Sequence, residues 1–166
     1  MRKVIILLMS VALVLLMPGC SLVDSAKELF TKESITAEDF SSSAEAYGFE
    51  VVDMTEMAKE NFDGEVECYL AVDSDAGYVI EFYIFEDNAT AQDFAEFIDE
   101  DFWDRFDKID NKSTSSSTGT NYWRASYKTD SSYAVVSQID NTCLVTDLII
   151  GSPDELNGFI KSIKYI

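Results

Sequence analysis

No histidine occurs anywhere in the 166 residues. That absence removes the usual general base of neutral pH, any Ser-His-Asp or Cys-His arrangement, and every His-containing zinc or haem site. Positive charge is scarce, with 12 Lys and Arg against 31 Asp and Glu, a formal net charge of −19 and a pI near 4.1. Such a balance repels a phosphate backbone, so no nucleic-acid partner is expected. Only 2 Pro and 7 Gly interrupt a chain that is 47% hydrophobic and 13% aromatic, unlike the apolar-poor composition of disordered segments. A folded core is expected, and the length suits one domain. No Gly-x-Ser-x-Gly, Ser-x-x-Lys, Gly-rich phosphate loop or His-Glu-x-x-His is present, and neither a cofactor nor a metal site is expected.

The longest apolar run, Val4 to Met17, is shorter than the ~20 residues of a membrane span. It follows Arg2 and Lys3 and is closed by Pro18-Gly19-Cys20, which reads as a secretory signal peptide over 1–19. Leu16-Met17-Pro18-Gly19-Cys20 resembles the lipobox of bacterial lipoproteins, in which a small residue precedes a Cys that is diacylated and becomes the new N-terminus. Met17 and Pro18 depart from the commonest residues there. The resemblance implies palmitate-type anchoring through Cys20 on the outer face of the cell membrane, with stable attachment from two chains or more. Cleavage removes two bases and no acid, leaving 10 bases against 31 acids, or −21. Anionic headgroups repel that charge, so membrane contact is expected through the lipid. Residues 20–34 then form a tether with an extended reach of about 45 to 50 Å.

Residues 35–166 read as one α+β domain. A helix from Ala37 to Tyr47 is signalled by Thr36 with Asp39 three residues on, by Phe40, Ala44 and Tyr47 at helical spacing, and by Gly48 as a stop. Phe49 to Met54 is a short strand, and Thr55 to Asp63 is compatible with one or two helical turns. Strands are expected at Val66–Val72 and Tyr78–Phe85, joined through Asp73 to Gly77, and again at Asn121–Lys128, Ser132–Ile139 and Thr142–Ile150. The longest helix spans Asn88 to Phe106. The Ser/Thr-rich stretch after it reads as a polar loop. Ser152-Pro153-Asp154-Glu155 opens a last helix with Leu156, Phe159, Ile160 and Ile163 as its apolar stripe. The expected architecture is an antiparallel sheet of about six strands with helices on one face. Thr36-Ala37-Glu38-Asp39-Phe40 and Thr90-Ala91-Gln92-Asp93-Phe94 hint at an αβββ pseudo-duplication, although good helix starts converge on such residues.

The element order, the lipobox and the phrases Gly48-Phe49-Glu50-Val51-Val52-Asp53, Val79-Ile80-Glu81-Phe82-Tyr83 and Val135 to Thr142 resemble small lipoproteins of clostridia-like Gram-positive bacteria. The resemblance spans most of the mature chain. It implies location and fold, and Cys20 is the one functional residue it carries over.

With Cys20 lipidated, Cys68 and Cys143 remain as an even pair in an exported domain, open to a disulfide; two buried thiols are the more expected reading. Asp73-Ser74-Asp75-Ala76-Gly77 begins like a calcium loop but has Tyr78 and Ile84 where Gly and Glu are needed, so it reads as a turn. Asp99, Glu100, Asp101, Asp104 and Asp107 read as a solvated helix end, with weak divalent-cation binding as the alternative. Advancing about 100° per residue, Ala91, Phe94, Phe97, Ile98, Phe102 and Phe106 share one arc of the long helix and Trp103 falls on its polar face. A helix that ends or bends near Asp101 would turn Trp103 into the core, the reading preferred. Otherwise Trp103 contacts a cation, a sugar or a partner protein. Tyr122, Trp123 and Tyr127 in one strand, with Tyr83 and Tyr133, are candidates for an open aromatic sheet face, although such residues are more often core or cross-strand pairs.

Two functions stand. The favoured one is a lipid-anchored, non-catalytic module binding an envelope protein, peptide or wall component through Trp103, Trp123, Tyr122 and Tyr127. The other is a carboxylate-based enzyme cleaving wall glycan or peptide, which needs only Asp and Glu. A deep pocket with two convergent carboxylates would favour the enzyme.

Overall fold

Thr36 opens the first helix, α1 (Ala37–Ala46), through a complete capping box: its hydroxyl accepts the Asp39 N–H, and the Asp39 carboxylate accepts the Thr36 N–H. The computed structural model describes residues 30–62, 64–149 and 153–166, and the fold is that of the unit Lys32–Ile166. The signal peptide, Cys20, most of the tether, Asp63 and the Ser152 cap lie outside the described residues. In order, the elements after α1 are β1 (Glu50–Asp53), α2 (Thr55–Asn61), β2 (Val66–Asp73), β3 (Tyr78–Phe85), α3 (Asn88–Phe106), β4 (Ser113–Thr118), β5 (Tyr122–Lys128), β6 (Tyr133–Ile139), β7 (Thr142–Ile149) and α4 (Pro153–Ser162). Among the described residues no helix is long and apolar enough to cross a membrane.

The α+β class holds, with seven antiparallel strands in the order β1-β2-β3-β7-β6-β5-β4 rather than six. The additional strand is β4, inside the stretch expected as a polar loop. Ser113 to Thr118 pairs in register with Lys128 to Trp123, and all six of its residues are exposed. Its place is set by the backbone ladder of β5, because no face of it has anything to bury. Asp140, at φ 50°, turns β6 into β7, and Gly77, at φ 73°, closes the β2–β3 hairpin, where the Asp73 carboxylate accepts the Asp75 and Ala76 N–H groups.

Helices cover both faces of the sheet, which corrects the one-face expectation. On the first face α1 and α4 pack through Phe40, Leu156 and Phe159 against Ile80, Phe82, Val135 and Leu144. Phe40 stacks on Phe82 at 4.7 Å, and Phe159 meets Phe49 edge-on at 5.3 Å. On the second face α2 and α3 cover Cys68, Phe85, Ala125, Val136 and Cys143. The cause is visible in β6, which is buried at every position, the pattern of a strand packed on two sides.

The topology has two halves, α1 with β1–β3 and α3 with β5–β7, whose last strands β3 and β7 pair at the centre. The repeated Thr-Ala-x-Asp-Phe phrase does not mark equivalent points in them. Thr36 is an N-cap, whereas Thr90 lies inside the first turn of a helix capped by Asp87.

Candidate functional site

A cavity of about 310 Å³ opens between α2 and the second face of the sheet. Its position follows from how α2 is tied down. The Met54 N–H donates to the Cys68 carbonyl at 2.8 Å, the Cys68 N–H donates to the Thr55 hydroxyl at 3.1 Å, and the Asp53 carboxylate caps Thr55 at 2.8 Å. That cap holds the Asp53 carboxyl below its ordinary range. With only seven residues, α2 stands over the β2–β3 pair and leaves a hollow lined by Met54, Met57, Ala58, Asn61 and Phe62 above, and by Cys68, Leu70, Glu81 and Tyr83 below.

Glu81 is the one acidic residue among the described lining residues. It lies on the strand parity of Tyr83 and Phe85, half-buried, and its Oε2 accepts the Tyr83 hydroxyl at 2.5 Å. No Lys or Arg pairs with it among the described residues. Phe62 and Tyr83 set their rings 5.9 Å apart at 61°, and Phe62 also meets Phe94 at 5.5 Å. Burial, with the Glu81 bond next in size, raises the Tyr83 hydroxyl well above its ordinary pKa. Burial likewise pushes the Cys68 thiol up to about 11, so it is protonated at neutral pH and is a poor nucleophile.

Cys68, Tyr83 and Cys143 stand in one row across β2, β3 and β7. Two strand spacings therefore separate the cysteines, roughly 9 to 10 Å, beyond the about 4.4 to 6.8 Å that a bridge allows. Both are free and buried, which overturns the disulfide.

The aromatic residues singled out from the sequence do not form one surface. Tyr127 is a core residue, its ring against Phe106 at 5.3 Å and its hydroxyl on Asp99 at 2.5 Å, and burial raises its pKa. Tyr133 is buried on the other face with its hydroxyl on Asn157 at 2.8 Å. Tyr122 turns to the first face, where Lys32 Nζ lies 4.9 Å above its ring. Trp123 turns to the second face, and of the four candidates it and Tyr122 alone meet, at the rim of a cavity of about 240 Å³ lined also by Asn88, Gln92, Glu96 and Gln138. The amides there are engaged with their neighbours: Gln138 donates to Asn88 at 2.6 Å and Gln92 to Glu96 at 2.9 Å. Trp103 is 48% exposed, because α3 runs unbroken to Phe106, and Lys112 Nζ sits 5.4 Å above its ring. The inward turn preferred for it from the sequence is thus replaced by the exposed one. Phe97 is 66% exposed, since the buried residues Ala91, Ala95, Phe102 and Phe106 centre the apolar arc on the opposite side of α3. Among the described residues no cluster of three or more acids or cysteines is placed to hold a metal ion.

No family model matches the chain, and no curated protein and no solved structure matches it. The site is therefore read from its own chemistry. Glu81, Met54, Met57 and Phe62 escaped the sequence reading, although one signal was present: Glu81 interrupts the alternate series Val79, Tyr83, Phe85 with a charge.

Proposed function

We propose that this chain is a lipid-anchored protein of the outer face of the cell membrane whose domain is a non-catalytic binding module, with the α2 cavity as its ligand site. Anchoring rests on Arg2-Lys3, the short apolar run and Gly19-Cys20. The small lipoproteins of clostridia-like bacteria that the sequence resembles share that address. The observation that carries the binding reading is Glu81, a carboxylate in an apolar-walled cavity with which no Lys or Arg pairs among the described residues. The neighbouring groups suit holding better than turnover. The thiol stays protonated, the tyrosine is a weak acid, and glycoside cleavage needs a second carboxylate across the scissile bond, where the described lining offers one.

Growth with a labelled fatty acid tests the anchor. The native chain takes up label and sediments with membranes, and Cys20→Ser loses both; a variant that keeps both overturns the lipoprotein reading. Incubating the purified protein with cell-wall glycan and peptides tests the second half. Release of reducing ends or of new amino groups would replace the binding module by the carboxylate enzyme.

A further inference from the structure

We propose that the α2 cavity takes an organic ammonium group, held by the Glu81 carboxylate and by the rings of Phe62 and Tyr83 that line it. The inference deepens the binding-module reading and rests on the cavity being the ligand site. Glu81 is half-buried in an apolar-walled hollow, where its attraction for a bound cation is screened less than at the open surface. Tyr83 supplies one hydrogen bond, to Oε2, and Oε1 accepts none among the described residues. A cation completes the set, and the remaining walls say which kind. Calcium takes six or more oxygen ligands and magnesium an octahedron of them, whereas the described lining offers one carboxylate, the Asn61 amide, the Tyr83 hydroxyl already given to Glu81, one protonated thiol, two thioethers and hydrocarbon. An inorganic ion would lose water there for little return. An alkylammonium instead gives its charge to Glu81 and its carbon atoms to Met54, Met57, Leu70 and Phe62. Aromatic faces attract such cations as well. The cavity is at the small end of ligand pockets, fitting a single head group better than an extended molecule. The net charge of −19 further concentrates cations at the protein surface.

Either a free amine or a lysine side chain of a peptide carries this chemistry, and the experiment separates them. The full chain, labelled at its methionine methyls and held in a maltoside detergent, has five methionines, two of which line the cavity. Met54→Leu and Met57→Leu assign those two signals. Choline and n-butylammonium are expected to move both signals saturably, while 3,3-dimethylbutanol, in which carbon replaces the choline nitrogen, should need at least tenfold higher concentration. Glu81→Gln keeps an acceptor for Tyr83 and should abolish that difference. Phe62→Leu should weaken both cations severalfold, a second route to the answer if the first variant folds poorly. Nα-acetyl-lysine methylamide binding as tightly as butylammonium assigns the ligand to a peptide; its exclusion assigns a free amine. Equal response to choline and its neutral analogue, or cation binding unchanged in Glu81→Gln, overturns the ammonium but leaves the cavity as a ligand site. No saturable shift from any probe overturns the ammonium outright, whereas failure of the module reading shows separately, as turnover of wall material.

Discussion

Tyr83 is where the residue-scale logic concentrates, because it separates two thiols that the sequence left free to pair. Cys68 and Cys143 are buried beside it, and burial raises both thiols above their ordinary pKa, Cys68 to about 11. An unfolded chain ionises these groups first, near pH 9, so it releases protons that the folded chain keeps. Stability from the buried thiols is therefore complete below pH 9 and declines as pH climbs toward 11. Urea midpoints measured from pH 8 to 11 should fall in the native chain and fall less steeply in a Cys68→Ala, Cys143→Ala variant; parallel curves would show that the thiols are not responsible. Arg124 is a second residue whose surroundings decide its worth. Its Nε is buried without a hydrogen-bond partner, and its charged neighbour is Lys32, whose pKa is lowered by burial and then by Arg124 itself. Two half-buried cations facing each other stabilise little, and an Arg whose buried Nε lacks a partner is commonly replaceable by an apolar side chain of similar length. Arg124→Met is expected to change the unfolding free energy by less than about 1 kcal/mol or to raise it. A loss beyond about 2 kcal/mol would reveal a partner for the guanidinium.

At the scale of elements, legibility followed periodicity. The length of α3 was readable because a 3.6-residue apolar repeat runs along it, and α4 because Leu156, Phe159, Ile160 and Ile163 form one stripe. The rotational setting of α3 was not readable, since which side of a broad apolar arc faces the sheet depends on what β5 to β7 present to it. Nor was β4, whose hydroxyl side chains carry no periodicity at all. The α2 cavity shared that fate: Glu81 stood in a legible strand, but the hollow beside it exists only where α2 is pinned to Cys68 across 13 residues of sequence. The two settings make opposite demands on two phenylalanines. Phe159 is fully buried between α4, α1 and the sheet, so Phe159→Ala should cost on the order of 3 to 5 kcal/mol. Phe97 projects into solvent from α3, so Phe97→Ala should stay within about 0.5 kcal/mol. Reversible urea unfolding of the two variants checks the pair, and similar losses would mean that the arc is centred where the sequence alone put it.

For the whole molecule, both the sheet class and the acidity could be read in advance, while the number of covered faces could not. Alternation in β2 and β3 suggests one wet face, yet the consecutive apolar run Ala134-Val135-Val136 already belonged to a strand buried on both sides. Covering both faces sends the acids outward, and the charge has to be tolerated there. The three ion pairs described all include side chains open to water: Lys59 with Glu56, Arg105 with Asp101 and Lys112 with Asp107. Such pairs contribute about 0 to 1 kcal/mol each and lose most of that to salt. Against them stands self-repulsion from a net charge of −19, which reaches across the domain at low ionic strength, where the screening length is about 30 Å at 0.01 M, and shrinks once that length falls to about 8 Å. Repulsion is the larger of the two, so salt should stabilise the fold. The melting midpoint of the purified chain is expected to rise by several degrees between 10 mM and 150 mM sodium chloride, and to rise less in a variant carrying Glu100→Gln and Asp104→Asn, whose exposed carboxylates lie on the acid-rich end of α3 outside the described ion pairs. A midpoint that falls with salt would mean that specific ion pairs outweigh the collective repulsion, and that the acidity is borne by local pairing rather than by the size of the core.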